Sequence, residues 1–259
     1  MSEGILRGSR EGVVTSTSAL ALAPAFAVCG AWLRDAEDLG VGVHLAAVGE
    51  DPPLLPAREI PTLVDRRGRL ARSWRGFLAG ASAGRVDPDD LRREFAAQIA
   101  AVRDLGVRIT HLDSHQHLHL WPSVRSVVLD LARGHRIPAI RVPRSHRRGR
   151  PVAAGVNRLA ADLARHVEAA GLAAPADAAG LDESGCLDAA GLVAALNGFR
   201  ARSAPSAELG CHPGEAVDPD RGRYRWGFTW GAELALLVSP MTRRMIAERG
   251  FRLGPYDAL

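Results

Sequence analysis

A strand and the helix after it meet in the stretch Thr110-His111-Leu112-Asp113-Ser114-His115-Gln116-His117-Leu118-His119-Leu120-Trp121-Pro122. Val107–His111 predicts the strand, because β-branched residues are enriched in strands and Gly106 is placed to end the helix before it. Ser123–Arg133 predicts the helix that follows. The histidines therefore fall where a strand gives way to a helix, which is the face on which (β/α) barrels build their active sites.

The same alternation of short strands and amphipathic helices continues on both sides of this stretch. Strands are predicted at Val13–Thr17, Val41–Leu45, Val107–His111, Ile137–Val142, Ala207–Cys211 and Phe251–Leu253. Helices are predicted at Ala25–Glu37, Asp89–Leu105 (capped by Asp89 or Asp90), Ser123–Arg133, Ala153–Ala170, Asp188–Arg202 and Pro240–Arg249. This alternation over 259 residues favours an α/β fold, a (β/α) barrel that forms one domain over residues 1–259.

Composition excludes several classes of protein. The chain is 47% hydrophobic and 24% charged, which is typical of a globular protein. Its longest apolar stretch, residues 19–33, is interrupted by Pro24 and Gly30 and is too short to span a bilayer. The order of segments typical of a secretory leader is not recognisable. We therefore expect a cytoplasmic protein with no stable membrane insertion.

The basic charge of the chain comes from arginine. The net charge is +4, and all 33 basic residues are Arg. A nucleic-acid site would interleave such cations with stacking aromatics. Here the arginine runs at 65–69 and 144–150 lie in predicted loops, and aromatics make up 5% of the chain. We expect solvated loop charge and no nucleic-acid partner.

Three histidines and an aspartate alternate in the quoted stretch. In an extended chain Asp113, His115, His117 and His119 share one face, so two or more of them could converge on one metal ion. The alternative is that the histidines cap the following helix or fill polar positions. Their alternation directly after a buried strand favours a metal site or a catalytic site.

Other polar side chains close further predicted strands. His44 ends the second strand, and this position favours metal ligation over a satisfied core histidine. His212 follows a later strand and suits a general acid, a general base or a ligand. Arg141 fits a contact with a substrate carbonyl and an ion pair at the barrel rim equally well. Asp113 is the acidic residue inside these motifs, and the second carboxylate that such a site needs is not visible.

Four motifs together resemble the YdjC-like carbohydrate deacetylases. They are Gly12-Val13-Val14-Thr15-Ser16-Thr17, Val41-Gly42-Val43-His44-Leu45, the histidine stretch 110–119 and Cys211-His212-Pro213. The closing Arg249-Gly250-Phe251-Arg252-Leu253-Gly254-Pro255-Tyr256 also resembles that family's C-terminus. The resemblance implies a distorted, polysaccharide-deacetylase-like (β/α) barrel. Its reaction would remove an N-acetyl group from an amino sugar, in a chitooligosaccharide or a hopanoid-linked sugar.

The resemblance also implies residue roles. His44 and His115 would bind a divalent metal ion, Mg²⁺ in first place and Zn²⁺ as the alternative, and His212 would protonate the leaving amine. Together with the residues selected from their positions in the sequence, these give a candidate site of six residues: metal ligands His44 and His115, catalytic His212 and Asp113, and substrate-binding Arg141 and His117.

The sequence departs from the family pattern at its N-terminus. Family members open with a strand that ends in an Ala-Asp-Asp-Phe-Gly motif, whose aspartates supply a third ligand and the presumed base. Met1 falls beyond that motif, and residues 4–12 read as the end of a helix with no strand before it. We expect the first strand to be missing, through either a misassigned start codon or a natural loss.

Other functions and partners stay open at this stage. The same barrel could cleave a phosphoester or an O-acetyl ester with its metal, or bind carbohydrate without catalysis. Trp74, in the Pro-rich loop 51–84, fits a sugar subsite and a packed core equally well. The aromatic segment 223–230 suits a substrate wall or the interface of a homodimer.

Overall fold

The computed structural model describes residues 1–218 and 222–259, and the chain divides into two compact units. The histidine unit consists of Ser18–Arg141 and Asp162–Ala173. The terminal unit consists of Met1–Thr17, Val142–Ala161 and Ala174–Leu259. That residues 1–259 act as a single domain stays a prediction.

Helices and strands alternate along the described residues. The strands are β1 (Ser16–Ala19), β2 (Gly40–Leu45), β3 (Ile109–Ser114), β4 (Ala139–Ile140), β5 (Asp177–Ala179) and β6 (Ala207–Leu209). The helices are α1 (Ser2–Arg10), α2 (Pro24–Cys29), α3 (Trp74–Ser82), α4 (Pro88–Arg103), α5 (Pro122–His135), α6 (Pro151–Ala169), α7 (Ala189–Ala201), α8 (Trp230–Val238) and α9 (Pro240–Glu248).

The strands of the described residues form two sheets. One sheet has the order β1-β2-β3-β4, with β2 parallel to β3 and β3 parallel to β4. In the second sheet β5 pairs in parallel with β6. Parallel neighbours need crossover connections, which α3 and α4 supply between β2 and β3 and α5 supplies between β3 and β4. The predicted α/β class is confirmed.

Helix α4 covers this sheet with an apolar stripe whose members lie three or four residues apart. Leu91, Phe95, Ile99 and Val102 are at most 1% exposed. The predicted cap is wrong, because the helix begins earlier, at Pro88, and the side chain of Asp87 accepts the N–H of Asp89 at 2.9 Å.

Several predicted bounds differ in the structure: β3 lies further along the chain than predicted, β4 and β6 are shorter, and α2 ends at Cys29. Two further predicted strands differ more strongly. The first strand lies at Ser16–Ala19 rather than Val13–Thr17, because Val13 packs into the apolar cluster of the terminal unit and donates its N–H to Leu237 O at 3.2 Å. The segment Phe251–Leu253 is not a strand. Gly250 has a left-handed backbone (φ 78) that ends α9, and Phe251 then donates its N–H to a carbonyl of that helix.

Three elements lie where the sequence predicted none. They are β5, α8, and α3 inside the long loop 51–84. Across the two described stretches of chain, no helix is both long enough and apolar enough to cross a membrane.

A close approach between β2 and β3 depends on a glycine. Gly42 faces His111 in the register, and a Cβ on Gly42 would lie only 2.5 Å from Cε1 of the His111 imidazole. That imidazole is fully buried and lies 2.9 Å from both the Ser18 and the Thr110 hydroxyl groups. His111 is thus a buried structural residue, and the space above Gly42 is what accommodates it.

We predict that Gly42→Ala destabilises the protein by about 2 kcal/mol, because the new methyl group overpacks the buried imidazole. Gly155→Ala in α6 is the matched control, since its Cβ would meet nothing within 4 Å and alanine favours the helix. Chemical denaturation of both variants measures the effect. Equal unfolding free energies for the two variants would contradict the proposed role of Gly42.

Candidate functional site

The C-terminal ends of β2 and β3 place His44 beside Asp113. The two residues are partners in the parallel register, and His44 Nδ1 lies 2.8 Å from Asp113 Oδ1. An ionised carboxylate can only accept, so Nδ1 carries the proton of this hydrogen bond. In a neutral imidazole the lone pair is then on Nε2 of His44, which acts as an acceptor or a ligand.

The chain turns sharply directly after β3. A short 3₁₀ helix, His115–Leu120, follows the strand, and within it Gln116 and His117 have left-handed backbones with φ of 51 and 55. Such angles are unfavourable for residues that carry a Cβ. The turn ends the extended alternation, so the expectation that the four alternating side chains share one face is wrong.

This turn brings His115 to His44. His115 Nδ1 lies 3.3 Å from His44 Nε2, with the ring centroids 5.4 Å apart and the ring planes at 74°. We call His44 and His115 the imidazole pair. The structure therefore brings together the two residues for which the sequence predicted metal ligation.

The carboxylate of Asp113 has a second partner in Arg141. Arg141 follows β4, donates its backbone N–H to Leu112 O at 3.0 Å, and pairs through its guanidinium with Asp113 Oδ2. Asp113 is fully buried, and burial alone would raise its pKa. Arg141 and His44 outweigh burial and hold the pKa of Asp113 well below its usual range. Asp113 therefore orients its neighbours as a carboxylate, and its catalytic role stays a prediction.

His119 stabilises the turn rather than joining the imidazole pair. Its Nδ1 lies 2.6 Å from Ser114 Oγ, which also accepts the His119 N–H at 2.9 Å. Its Nε2 donates to Arg141 O at 3.0 Å. Burial, as the largest cause, lowers the pKa of His119 to about 4, so the ring is neutral at pH 7. His119 thus links the turn after β3 to the segment after β4.

His117 occupies a different position from its alternating neighbours. Its ring centroid lies 6.3 Å from that of His119, and burial, as the main cause, lowers the pKa of His117 to about 3. Its Nδ1 is enclosed and has no hydrogen-bond partner among residues 1–218 and 222–259. His117 is therefore a neutral imidazole that offers one unused polar atom to a ligand.

His212 belongs to the terminal unit, where Glu233 of α8 fixes its backbone. Glu233 is fully buried, and its Oε2 accepts the His212 N–H at 2.5 Å while its Oε1 accepts the Leu187 N–H at 2.8 Å. Burial raises the pKa of Glu233, and the two N–H donors act in the opposite direction. The His212 ring packs against Phe228 with the centroids 4.9 Å apart. Glu233 could not be identified from the sequence, because α8 was not predicted.

The imidazole pair has the donor chemistry of a partial metal site. Two nitrogens bound at about 2.1 Å to a tetrahedral ion are roughly 3.4 Å apart, close to the spacing of this pair. The Asp113–His44 hydrogen bond supplies the outer-shell carboxylate that often orients a ligating histidine. Among the residues that the structure describes, no group of three or more His, Cys, Asp or Glu side chains is arranged to hold a metal ion. The pair fits two positions of a metal ion, and water or substrate would have to occupy others.

Comparison with known proteins gives relatives over the whole chain. Residues 1–248 match the YdjC-like protein family. A chitooligosaccharide deacetylase of Klebsiella pneumoniae strain 342 is 31% identical over 98% of this chain and 91% of its own length. A carbohydrate deacetylase of Geobacillus stearothermophilus is 36% identical, and one of Brevibacillus brevis is 32% identical. The match spans about half the length of these two carbohydrate deacetylases, 56% and 52% respectively.

A solved structure has the same fold. It is a candidate cellobiose-phosphate cleavage protein from Enterococcus faecalis V583, which superposes with a TM-score of 0.80 at 25% sequence identity. The superposition covers 99% of this chain and 92% of the other.

We predict that Arg141→Gln destabilises the protein by about 3 kcal/mol, because the buried carboxylate of Asp113 then lacks its cation. Arg165→Gln is the matched control: Arg165 pairs with Asp162 at 2.7 Å but is 70% exposed, so the loss should stay below about 1 kcal/mol. Denaturant unfolding of both variants measures the difference. A loss for Arg141→Gln no larger than that of the control would show that the buried pair contributes nothing to stability.

Proposed function

The chain belongs to the YdjC-like protein family, and from this premise we propose that it is a carbohydrate deacetylase that hydrolyses the N-acetyl group of an amino sugar. The full-length relatives named chitooligosaccharide deacetylase support acetylated chitooligosaccharides as the substrate class. A cytoplasmic location and assembly as a homodimer stay predictions.

The observation that carries the proposal is the imidazole pair backed by Asp113. His44 and His115 direct nitrogen atoms toward each other at the C-terminal ends of parallel strands, where α/β proteins place their ligands. Asp113 fixes the tautomer of His44, and Arg141 neutralises the carboxylate that does so. Burying polar and charged groups costs free energy, so their concentration at this edge of the sheet indicates a role beyond packing.

We also propose that the imidazole pair holds a divalent metal ion. When bound, this ion would polarise the acetyl carbonyl and lower the pKa of a water molecule. The resemblance implied Mg²⁺ first and Zn²⁺ as the alternative. Imidazole nitrogens suit Zn²⁺, whereas Mg²⁺ prefers oxygen, so the donor set of this pair favours Zn²⁺.

The remaining chemistry falls to side chains of this chain. Hydrolysis joins a water oxygen to the acetyl carbon and breaks the C–N bond, and the departing nitrogen needs a proton. We assign that proton to His212, whose backbone is fixed by Glu233. The proton that the attacking water gives up is assigned to the carboxylate of Asp113, the other predicted catalytic residue. We assign contact with the substrate to His117, through its enclosed Nδ1, and to Arg141.

Acetate release from N-acetylated chitooligosaccharides tests the proposed function. The assay compares untreated protein, protein treated with a chelator, and treated protein resupplied with Zn²⁺ or Mg²⁺. Release that the chelator abolishes and one metal restores is the expected result. Release from O-acetylated sugars alone would indicate an esterase, and no release from either would favour a non-catalytic carbohydrate-binding protein.

We predict that His115→Ala lowers acetate release at least about a hundredfold and lowers bound metal, because it removes half of the imidazole pair. His135→Ala is the control, since His135 lies at the end of α5 away from the imidazole pair. Steady-state kinetics and elemental analysis of the purified variants give the two readouts. Unchanged metal content with unchanged activity would remove the imidazole pair from the proposed mechanism.

We predict that Glu233→Gln lowers kcat about tenfold with little change in KM, because an amide cannot accept both buried N–H groups and His212 shifts. Glu248→Gln in α9 is exposed and serves as the control. Circular dichroism confirms that each variant is folded before its kinetics are measured. A folded Glu233→Gln variant with the kcat of the unmodified protein would argue against this role.

A further inference from the structure

The segment Ala71–Trp74 is anchored beside the imidazole pair from two sides. On one side, the Gly49 N–H donates to Ala71 O at 2.9 Å. Gly49 itself lies against His115, since a Cβ at Gly49 would be 3.4 Å from Cδ2 of that imidazole. Gly49 follows the end of β2 by four residues, so its hydrogen bond to Ala71 connects the strand that carries His44 to the segment that contains Trp74.

On the other side, Gln116 connects the segment to the turn after β3. Its Oε1 accepts the Trp74 N–H at 2.7 Å, and its Nε2 donates to Arg72 O at 3.4 Å. One side-chain amide thus holds the backbone on both sides of Ser73. Gln116 directly follows His115, so this clamp ties Trp74 to a member of the imidazole pair.

The clamp is held by a strained backbone. Gln116 has φ of 51 and ψ of 27, a left-handed conformation that glycine adopts without cost and glutamine does not. Strain of this kind persists where the surroundings fix it, and it is concentrated at functional sites. A glycine here would relieve the strain but could not make the two hydrogen bonds to the loop. Glutamine at this position is therefore explained by the two hydrogen bonds of its side chain and not by the backbone conformation.

The indole of Trp74 has the character of a binding surface rather than of a core residue. Trp74 is half-buried, whereas the packed Trp230 is 2% exposed. The guanidinium of Arg75 lies 4.5 Å from the centroid of the Trp74 ring, a cation–π contact that orients the indole. An oriented, partly exposed indole next to polar groups suits a ligand that has both apolar and polar faces.

We propose that Trp74 is the residue on which a sugar ring of the substrate packs beside the imidazole pair, and that Gln116 is the positioning residue that holds it there. This inference rests on the proposed function, because an acetylated amino sugar is a ligand of that kind: its C–H groups form an apolar face and its hydroxyl and amide groups remain polar. The contact fixes the sugar ring, so it governs binding and not the chemical step.

The test measures binding and activity separately, with N,N′,N″-triacetylchitotriose as the probe. Binding is followed by isothermal titration calorimetry, and acetate release gives KM and kcat. The variants are Trp74→Ala, Trp74→Phe, Gln116→Met and the double variant Trp74→Ala/Gln116→Met. Trp32→Ala is the matched control, because Trp32 is also half-buried but lies in the 3₁₀ helix Gly30–Asp35.

Trp74→Ala is expected to raise Kd and KM about tenfold with kcat nearly unchanged, and Trp74→Phe to retain most of the affinity because it keeps a flat ring. Gln116→Met is expected to weaken binding several-fold. The double variant should be no weaker than Trp74→Ala alone, since both changes act through the same indole. Trp32→Ala should bind like the unmodified protein.

Unchanged Kd and KM in a folded Trp74→Ala variant of an active protein would overturn the inference and leave the proposed function intact. Additive losses in the double variant would overturn the positioning role of Gln116. Binding that depends on Trp74 without any acetate release would support the inference while the proposed function fails. Absence of both binding and release would overturn both.

Discussion

The buried carboxylate of Asp113 joins three segments that lie far apart in the sequence. Its two oxygens are engaged by His44 at the end of β2 and by Arg141 after β4, while Asp113 itself lies in β3. A fully buried charge is costly unless it is paired and hydrogen-bonded, so these partners satisfy a requirement that the fold itself creates. Parallel register places all three at the same edge of the sheet. The candidate site is therefore built by the same interactions that bury this charge.

The turn after β3 then assigns different tasks to histidines that look equivalent in the sequence. The left-handed angles at Gln116 and His117 break the alternation, so that His115 meets His44 while His119 hydrogen-bonds Ser114 and Arg141 O. Had the chain stayed extended, their side chains would have shared one face. Backbone handedness, rather than residue type, separates the residue that contacts His44 from the one that supports the turn.

The sequence predicted the features that follow from periodicity and missed those that follow from tertiary contacts. The stripe of α4 and the strand-end positions of His44 and His115 are visible in the spacing of residues. Strand β5 is Asp-Ala-Ala and has no β-branched residue, so only its pairing with β6 makes it a strand. Helix α8 is apolar on most faces and shows little amphipathic contrast, which hid Glu233. Neither the clamp by Gln116 nor the space above Gly42 has any signal in a single sequence.

Arg141 explains why one carboxylate can suffice to orient His44. A buried carboxylate with a single partner would leave one oxygen without a hydrogen bond, and desolvation would favour its protonated form. A protonated Asp113 could donate to His44 Nδ1. In a neutral imidazole Nδ1 would then hold the lone pair, and Nε2 would carry the proton. Because Arg141 engages the second oxygen and holds Asp113 as a carboxylate, Nδ1 of His44 must donate, and in a neutral imidazole the lone pair is then on Nε2, which faces His115. Arg141 does not contact His44 in this arrangement but acts through Asp113: by keeping Asp113 ionised, it determines which nitrogen of His44 is available to a ligand.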